Sequence, residues 1–318
     1  MSEQTFHGEL DYSDVLLVPK YSFLGSRKEA DTTFKLGKWK FQLPIVPSNM
    51  ETVINLNLCQ QLDRDNYFYI MHRFQDMFET VQRLNDYHCK CVSVSIGVNE
   101  ESYQHLQSII DNNYKIDIIT IDVAHGHHVK VTAMIKYIKK YLEKDVIIIA
   151  GNVGTVEGFK QLQDSGADVV KVGIGSGVIC TTRFKTGFGT PMFSTLLKIA
   201  PHKRSAKIMA DGGCKHFGDI AKALVAGADC VMSGSFFAPC ADSPAKVVRG
   251  AKEYYGSTSY KQKGDRLHFV EGKQVDLELA PEYEVRLQEI QQALKSSISY
   301  AGGKSLSCFS DVKFIQLK

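Results

Sequence analysis

The chain has 318 residues, of which 44% are apolar and 23% charged, a composition typical of a soluble globular protein. Its 38 Lys and Arg against 35 Asp and Glu give a net charge of only +3 without any basic run, so nucleic acid is not expected as a partner. No apolar stretch approaches the roughly 20 residues that span a bilayer, and the polar first residues are unlike a signal peptide, so we expect a cytoplasmic protein that makes no membrane contact.

Eight short runs rich in β-branched residues predict strands along the chain. Longer segments with helical apolar spacing lie between them, for example 127–143. Because the runs are continuously apolar, both faces of each strand should be buried, as in a parallel sheet. The predicted strands cover 43–49, 67–72, 91–97, 116–124, 146–153, 169–175, 207–213 and 230–238.

An internal repeat favours a closed arrangement of these units. The stretch 149–175 is echoed by 209–234, and each copy has the pattern of a βαβ unit. Units that are interchangeable in space fit a barrel better than an open sheet, whose edges differ. We therefore predict a single (β/α)₈ TIM barrel domain over 1–318, with a doubly wound open sheet as the alternative.

Residues 239–279, which follow the eighth predicted strand, interrupt the alternation. They are polar, contain several glycines and have no convincing core periodicity, whereas helical spacing returns over 281–300. Long loops inside compact domains are commonly lids or binding flaps. We predict a flap insertion near the active face.

The carboxyl ends of barrel strands build the active site, and here they carry small or polar residues. Glycine turns at 211–213 and 233–235 follow the seventh and eighth strands, where exposed backbone N–H groups suit a phosphate. The segment GIGSGVICTTRFKTGFG at 173–189, here called the cysteine loop, follows the sixth strand. Its glycines let backbone approach a ligand and leave Cys180 exposed, which makes Cys180 the candidate nucleophile.

Other cysteine and histidine residues are weaker candidates. The eight cysteines are scattered, so reduced thiols are expected, most of them buried in the core. Cys89 and Cys91 beside His88 form only a weak metal motif. The His125, His127 and His128 cluster is better explained by helix capping or cofactor contact than by a metal site.

The motifs together resemble the IMP dehydrogenase and GMP reductase family. They run from YSDVLLVPKYS at 12–22 through IDVAHG, AGNV, KVGIGSGVICTTR, ADGG and EYYGS to SSISYAGGK at 296–304. Three features favour the reductase branch: there is no room for a regulatory CBS pair, Cys180-Thr-Thr-Arg183 is followed by KTGFG, and Arg266 is not followed by the water-activating tyrosine of the dehydrogenases.

The resemblance implies GMP reductase activity, in which NADPH converts GMP to IMP and ammonia through a covalent Cys180 adduct at purine C2, as part of purine nucleotide salvage. Thr182 and Glu271 would protonate the departing amine. It also implies a homotetramer. Two alternatives stay open: an IMP dehydrogenase without CBS domains, and a purine nucleotide sensor without catalysis.

Ligand contacts also follow from the resemblance. Asp211 with Gly212 would hold the ribose. Val178, Arg73 and the pair Ser257 and Thr258 depart from the residues common at these positions in the reductases. The phosphate would contact Gly213, Gly234, Ser235 and Tyr255, and the base Ser48, Met50, Gly256, Ser257 and Thr258.

The implied cofactor and cation sites involve further residues. NADPH would contact Arg73, Asp122, Val123, Ala124, Asn152, Ile174 and Gly175 of one subunit, and Arg27, Lys28, Ser296, Ser297, Ile298 and Ser299 of a neighbouring one. Backbone carbonyls of Gly175, Gly177 and Cys180 would hold K⁺.

Overall fold

The computed structural model describes residues 8–256 and 273–317. The chain begins with three short strands, β1 (Val15–Leu17), β2 (Phe34–Leu36) and β3 (Trp39–Phe41). Strands β2 and β3 pair as an antiparallel hairpin. The ring of Phe41 stacks on that of Phe68 with centroids 4.7 Å apart, and Lys207 lies over the Phe34 ring. The hairpin therefore packs against the amino-terminal end of the parallel strands that follow.

Seven strands form one parallel sheet, in the order β4-β10-β9-β8-β7-β6-β5. The first of these strands in the chain therefore pairs with the last, which is the strand order of a TIM-barrel-like fold. The strands are β4 (Ile45–Pro47), β5 (Ser93–Ile96), β6 (Ile118–Asp122), β7 (Ile147–Val153), β8 (Val169–Val172), β9 (Lys207–Asp211) and β10 (Cys230–Ser233).

The predicted strand at 67–72 forms no regular ladder. It joins β5 by one parallel bridge between Met71 and Val94, in which Met71 N–H donates to Ser93 and Ser95 N–H donates back to Met71. The predicted segment at 230–238 is also shorter in the structure, because after Ser233 the chain turns and the Gly234 carbonyl accepts two backbone N–H groups.

One apolar cluster fills the interior of the curled sheet. It draws side chains from all seven strands or their starts, from the 67–72 segment, and from the β2–β3 hairpin. A second, larger cluster lies between the sheet and the helices. Burial on both faces explains the continuously apolar runs of the sequence. The interior cluster comprises Phe34, Leu36, Phe41, Val46, Phe68, Ile70, Cys91, Ile118, Ile147, Ile149, Val169, Met209, Cys230 and Met232.

Helices alternate with the parallel strands, and several begin at a capping side chain, such as Asn55, Asn99 and Thr155. The two echoed units are confirmed as β7-α5-β8 and β9-α8-β10. None of the helices within the described residues is both long and apolar enough to cross a bilayer. The helices are α1 (Leu56–Arg64), α2 (Met77–Asp86), α3 (Glu100–Asp111), α4 (Val129–Tyr141), α5 (Val156–Ser165), α6 (Thr182–Thr186), α7 (Met192–Ile199), α8 (Gly218–Val225) and α9 (Tyr283–Tyr300).

The described part of 239–279 is more regular than the sequence predicts. It contains an antiparallel sheet of β11 (Val247–Val248), β12 (Ala251–Tyr255) and β13 (Gln274–Glu278). The pattern is hidden because Lys252 occupies a buried position, where its ammonium donates to the carbonyls of Ala241, Ser243 and Ala245. A last strand, β14 (Phe314–Gln316), pairs with β1.

Candidate active site

A cavity of about 370 Å³ opens at the carboxyl ends of the parallel strands. Strands β6 and β9 end at Asp122 and Asp211, and the cysteine loop continues from β8, so the topology brings these groups to one rim. The sequence-predicted residues that line the cavity are Ser48, Met50, Arg73, Asp122, Val123, Ala124, Asn152, Ile174, Gly175, Gly177, Cys180, Thr182, Asp211, Gly212, Gly213, Gly234, Ser235 and Gly256.

The cysteine loop presents a thiol beside a hydroxyl. Cys180 is partly exposed, and its Sγ lies 3.1 Å from Thr182 Oγ1. The Cys180 N–H donates to the Gly177 carbonyl at 3.0 Å, and Thr182 begins helix α6. A thiol and a hydroxyl at this distance can exchange a proton or share one with a ligand.

Close backbone contacts hold the start of the loop against the end of β9. Ser176 Oγ donates to the Asp211 carbonyl at 2.6 Å. A Cβ on Gly173 would lie 2.3 Å from the same carbonyl oxygen, and the φ of Gly173 is +151°. Glycine is therefore required at 173 for the loop to approach Asp211 this closely.

Most of the remaining cysteines are buried. Burial raises the pKa of Cys89 to about 11, and likewise raises the pKa of Cys91, Cys214 and Cys230 above its ordinary value. Because the thiolate is the reactive form, these thiols are poor nucleophiles. Six of the eight cysteines are buried, as the sequence predicted for most of them: Cys59, Cys89, Cys91, Cys214, Cys230 and Cys240.

Three charged side chains, here called the charged floor, lie at the bottom of the cavity: Asp122, Lys171 and Asp211. Lys171 is only 2% exposed, and its Nζ lies 2.8 Å from Asp122 Oδ1 and 3.1 Å from Asp211 Oδ2. Asn152 donates to Asp211 Oδ2 at 2.8 Å, and Arg73 Nε lies 3.7 Å from Asp122 Oδ2.

The pKa values of the charged floor follow from this arrangement. Burial opposes the charged forms of both Lys171 and Asp122. Their mutual attraction outweighs burial, so the pKa of Asp122 is lowered, and that of Lys171 is raised with the further help of Asp211. Asp122 and Lys171 are therefore a charged pair at neutral pH.

The structure brings Tyr254, and not the predicted Tyr255, to the cavity. Successive side chains of β12 point to opposite faces: Tyr254 is buried with its hydroxyl 3.8 Å from Met50 Sδ, whereas the Tyr255 hydroxyl lies 3.5 Å from Glu51 Oε2. The Tyr254 hydroxyl also fills the space beside Gly234, where a Cβ would lie 2.0 Å from it.

Several predicted cofactor residues lie on another surface. Arg27 Nη1 donates to Ser296 Oγ at 3.2 Å, and Ser299 Oγ lies 3.4 Å from Ser22 Oγ. The side chain of Ile298 is fully buried in the core, so it presents only backbone to a ligand. Contribution of Arg27, Lys28 and Ser296 to Ser299 to a neighbouring subunit stays a prediction. Glu271, Ser257 and Thr258 lie outside the described residues.

Sequence reasoning missed Lys171, the central residue of the floor. The available signal was a lysine in the middle of VVKVG, a run otherwise apolar enough to predict burial on both faces. A buried lysine must be paired, which would have directed attention to its partners. Three further lining residues, Gly173, Ser176 and Ile179, belong to the predicted cysteine loop, and Ser233 belongs to the predicted 233–235 turn. The other lining residues outside the predicted ligand sets, cysteine loop and glycine turns are Asn49, Met232 and Tyr254.

The described residues contain no group of three or more His, Cys, Asp or Glu side chains suited to a metal ion. The weak candidates around Cys89 and His125 therefore gain no support. The predicted K⁺ ligands are of a different kind, because they are neutral carbonyl oxygens of the cysteine loop. Such hard, uncharged donors suit a weakly bound cation.

Comparison with known proteins agrees with the resemblance in the motifs. Residues 9–318 match the family model described as IMP dehydrogenase / GMP reductase domain. A GMP reductase of Bacillus thuringiensis subsp. konkukian is 43% identical over 315 residues, covering 97% of this chain and 95% of the relative. GMP reductases of Shouchella clausii and Oceanobacillus iheyensis are 44% and 42% identical with the same coverage.

Proposed function

The chain belongs to the IMP dehydrogenase / GMP reductase family, and we propose that it is a GMP reductase, an oxidoreductase that deaminates GMP to IMP and ammonia with NADPH. The observation that carries the proposal is the partly exposed Cys180 thiol, 3.1 Å from Thr182 Oγ1, at a cavity that also holds Asp211 and Asp122. A binding protein has no need of a nucleophile in this position.

The thiol would act by covalent catalysis. The Cys180 thiolate attacks purine C2 of GMP, the C–S bond forms, and the C2–N bond breaks as the amino group takes up a proton and leaves as ammonia. Thr182 and Glu271 would relay that proton. Hydride addition to C2 followed by cleavage of the C–S bond returns the thiolate and releases IMP.

Nucleotide binding would use the ends of three strands. Asp211 carries a carboxylate suited to the two ribose hydroxyls, and Lys171 and Asn152 hold that carboxylate in place. The backbone N–H groups of Gly213, Gly234 and Ser235 would bind the phosphate. Tyr254 replaces Tyr255 in this proposal, because its hydroxyl reaches the cavity beside Gly234. Ser48, Met50 and Gly256 would contact the base.

The cofactor would bind in the half of the cavity near Asp122, where it would contact Arg73, Val123, Ala124, Ile174 and Gly175. NADPH supplies the hydride when it is bound. The fit is supported by Asn152, whose Oδ1 is buried and has no hydrogen-bond partner among the described residues, while its Nδ2 is already used by Gly173 and Asp211. A carboxamide N–H, such as that of nicotinamide, can satisfy this acceptor.

Further features of the proposal come from the family. K⁺ would bind the carbonyls of Gly175, Gly177 and Cys180 and so brace the cysteine loop. A homotetramer would bring Arg27, Lys28 and Ser296 to Ser299 to a neighbouring cofactor. The reaction would serve purine nucleotide salvage.

A spectrophotometric assay tests the function. The purified chain is mixed with GMP and NADPH, and loss of reduced-cofactor absorbance together with IMP formation is the expected result. Cofactor reduction with IMP and NAD⁺ alone would instead identify a dehydrogenase. Nucleotide binding without turnover in either direction would identify a sensor.

A further inference from the structure

Lys171 is a buried cation shared by two carboxylates that the proposed function assigns to different ligands. Its side chain points inward from β8, in line with Val169 of the interior cluster. Its Nζ lies 2.8 Å from Asp122 Oδ1, on the cofactor side, and 3.1 Å from Asp211 Oδ2, on the nucleotide side. Its third neighbour is the neutral Met232 Sδ at 3.8 Å.

The neighbouring strand approaches the backbone of Lys171 closely. Gly151 of β7 pairs with Lys171, and a Cβ on Gly151 would lie only 2.4 Å from the Lys171 Cβ. A contact that short is not compatible with any side chain at 151. Glycine at 151 therefore lets strands β7 and β8 come close enough for the Lys171 side chain to lie in this interior layer.

The two carboxylates that contact Lys171 would repel each other without a cation between them. Asp122 and Asp211 both contact the same Nζ, so their carboxylates are close enough to repel each other strongly inside the protein. Arg73 reaches only Asp122, at 3.7 Å, and Tyr254 is a neutral neighbour on the Asp211 side. Lys171 is thus the cation in contact with both.

We propose that Lys171 is a positioning residue for both halves of the site, because its ammonium holds the Asp211 carboxylate towards the nucleotide ribose and the Asp122 carboxylate towards the cofactor. The proposal rests on the proposed function. It predicts that one substitution outside direct ligand contact weakens two different ligands together.

The test uses Lys171→Met, Lys171→Gln and Lys171→Arg in the full chain, with GMP and NADPH binding measured separately by calorimetry. For the two neutral variants we expect Kd to rise about tenfold or more for each ligand. Lys171→Arg keeps the charge in a bulkier, forked side chain, so the folded arginine variant should lose less affinity for both ligands than the neutral variants. The glutamine variant covers the case in which the methionine variant does not fold.

The pH dependence distinguishes positioning from a general structural role. Among the described residues, Arg73 is the nearby cation that the Asp122 and Asp211 pair retains without Lys171, so we expect one carboxyl of the variant to take up a proton at a higher pH than in wild type. The loss of affinity in the neutral variants should therefore be larger at pH 5.5 than at pH 8. A purely structural defect would lower affinity by the same factor at both pH values.

Lys222→Met is the matched control. Lys222 on α8 also pairs with a carboxylate, 3.1 Å from Asp219 Oδ1, but it lies outside the cavity lining. We expect it to lower stability and to leave both Kd values within about twofold.

Two results separate the proposals. Absence of GMP turnover in wild type would contradict the proposed function and, with it, the role of Lys171 in that reaction. If wild type turns over GMP while a folded neutral variant keeps both affinities, or loses only one, the shared role of Lys171 is wrong and the function stands.

Discussion

The charged floor and the cysteine loop line the same cavity but are held by different forces. The floor lies on strands and is fixed by ion pairs of 2.8 and 3.1 Å around a lysine that is 2% exposed. The cysteine loop exposes Phe184 and Phe188 to 88% and 74%. It is held by the close backbone contacts of its start, by buried Ile179 and by the Arg183–Asp11 ion pair. Under the proposed function, buried charges on strands would therefore position the ligands, and a more exposed loop would carry the bond chemistry.

Cys180→Ala tests this division with the largest expected effect. Without the thiolate no adduct can form, so we expect kcat to fall by about 10⁴-fold or more, while the Kd of GMP stays within about tenfold. Stopped-flow NADPH oxidation and calorimetry give the two quantities. Retained turnover would contradict covalent catalysis, and lost binding would contradict the division between floor and loop.

Thr182→Val tests whether a second side chain of the cysteine loop also affects turnover more than GMP binding. Removing the hydroxyl 3.1 Å from Sγ should slow proton delivery and lower kcat by about 10²- to 10³-fold, again with little change in GMP affinity. Thr186→Val is the control on the same helix, because its hydroxyl bonds the Thr182 carbonyl and does not approach Sγ. An equal loss in both variants would indicate that the helix, and not the Thr182 hydroxyl, is what matters.

His72, next to Arg73 in the chain, makes the folding stability depend on pH. It is 3% exposed, and burial lowers its pKa to about 4, so the folded protein holds it neutral while the unfolded chain protonates it near pH 6.5. Stability is therefore fully present above pH 6.5 and falls as the pH drops towards 4, by about 2 to 3 kcal/mol.

The measurement is the denaturant midpoint from pH 8 to pH 4 for wild type and His72→Asn. Asparagine can still accept the Phe74 N–H that now bonds His72 Nδ1 at 3.2 Å, but it does not titrate. The variant should lose less stability than wild type across this range. If the midpoints of the two proteins fall in parallel as the pH is lowered, His72 does not cause the loss of stability in acid.

The smallest effect that we expect is a change in GMP affinity from Val178→Ser in the cysteine loop. Val178 is 40% exposed at the cavity, where a serine hydroxyl could donate to a phosphate oxygen. One added hydrogen bond of about 1 kcal/mol should tighten GMP binding about fivefold. Val178→Ala is the control for lost bulk, and equal gains in both variants would show that the hydroxyl makes no contact.

The sequence predicted most of the fold because continuous apolar runs and helical spacing reflect burial directly. It predicted the cysteine loop and the cavity-lining Asp122 and Asp211 because both follow from where strands end. It missed Lys171 and the β11–β13 sheet for one shared physical reason. A buried lysine interrupts the apolar pattern of its strand, and the groups that stabilise it lie outside that strand. They are Asp122 and Asp211 for Lys171, and three backbone carbonyls for Lys252.

Tyr254 illustrates a second limit. The motif EYYGS offers two adjacent tyrosines, and their assignment to opposite faces depends on the register of β12 against β13, in which Tyr254 pairs with Val275. A shift of one residue would exchange the two side chains. Pattern alone does not determine that register.

The β2–β3 hairpin has a kinetic consequence. Phe34, Leu36 and Phe41 belong to the apolar cluster that fills the interior, so among the described residues the cavity opens on the opposite side, at the carboxyl ends of the strands. Two reactants that enter the cavity from the same side obstruct each other. The reactant that binds deeper must therefore bind first and dissociate last. Steady-state patterns should then be those of an ordered mechanism, in which the product that leaves last competes with the substrate that binds first.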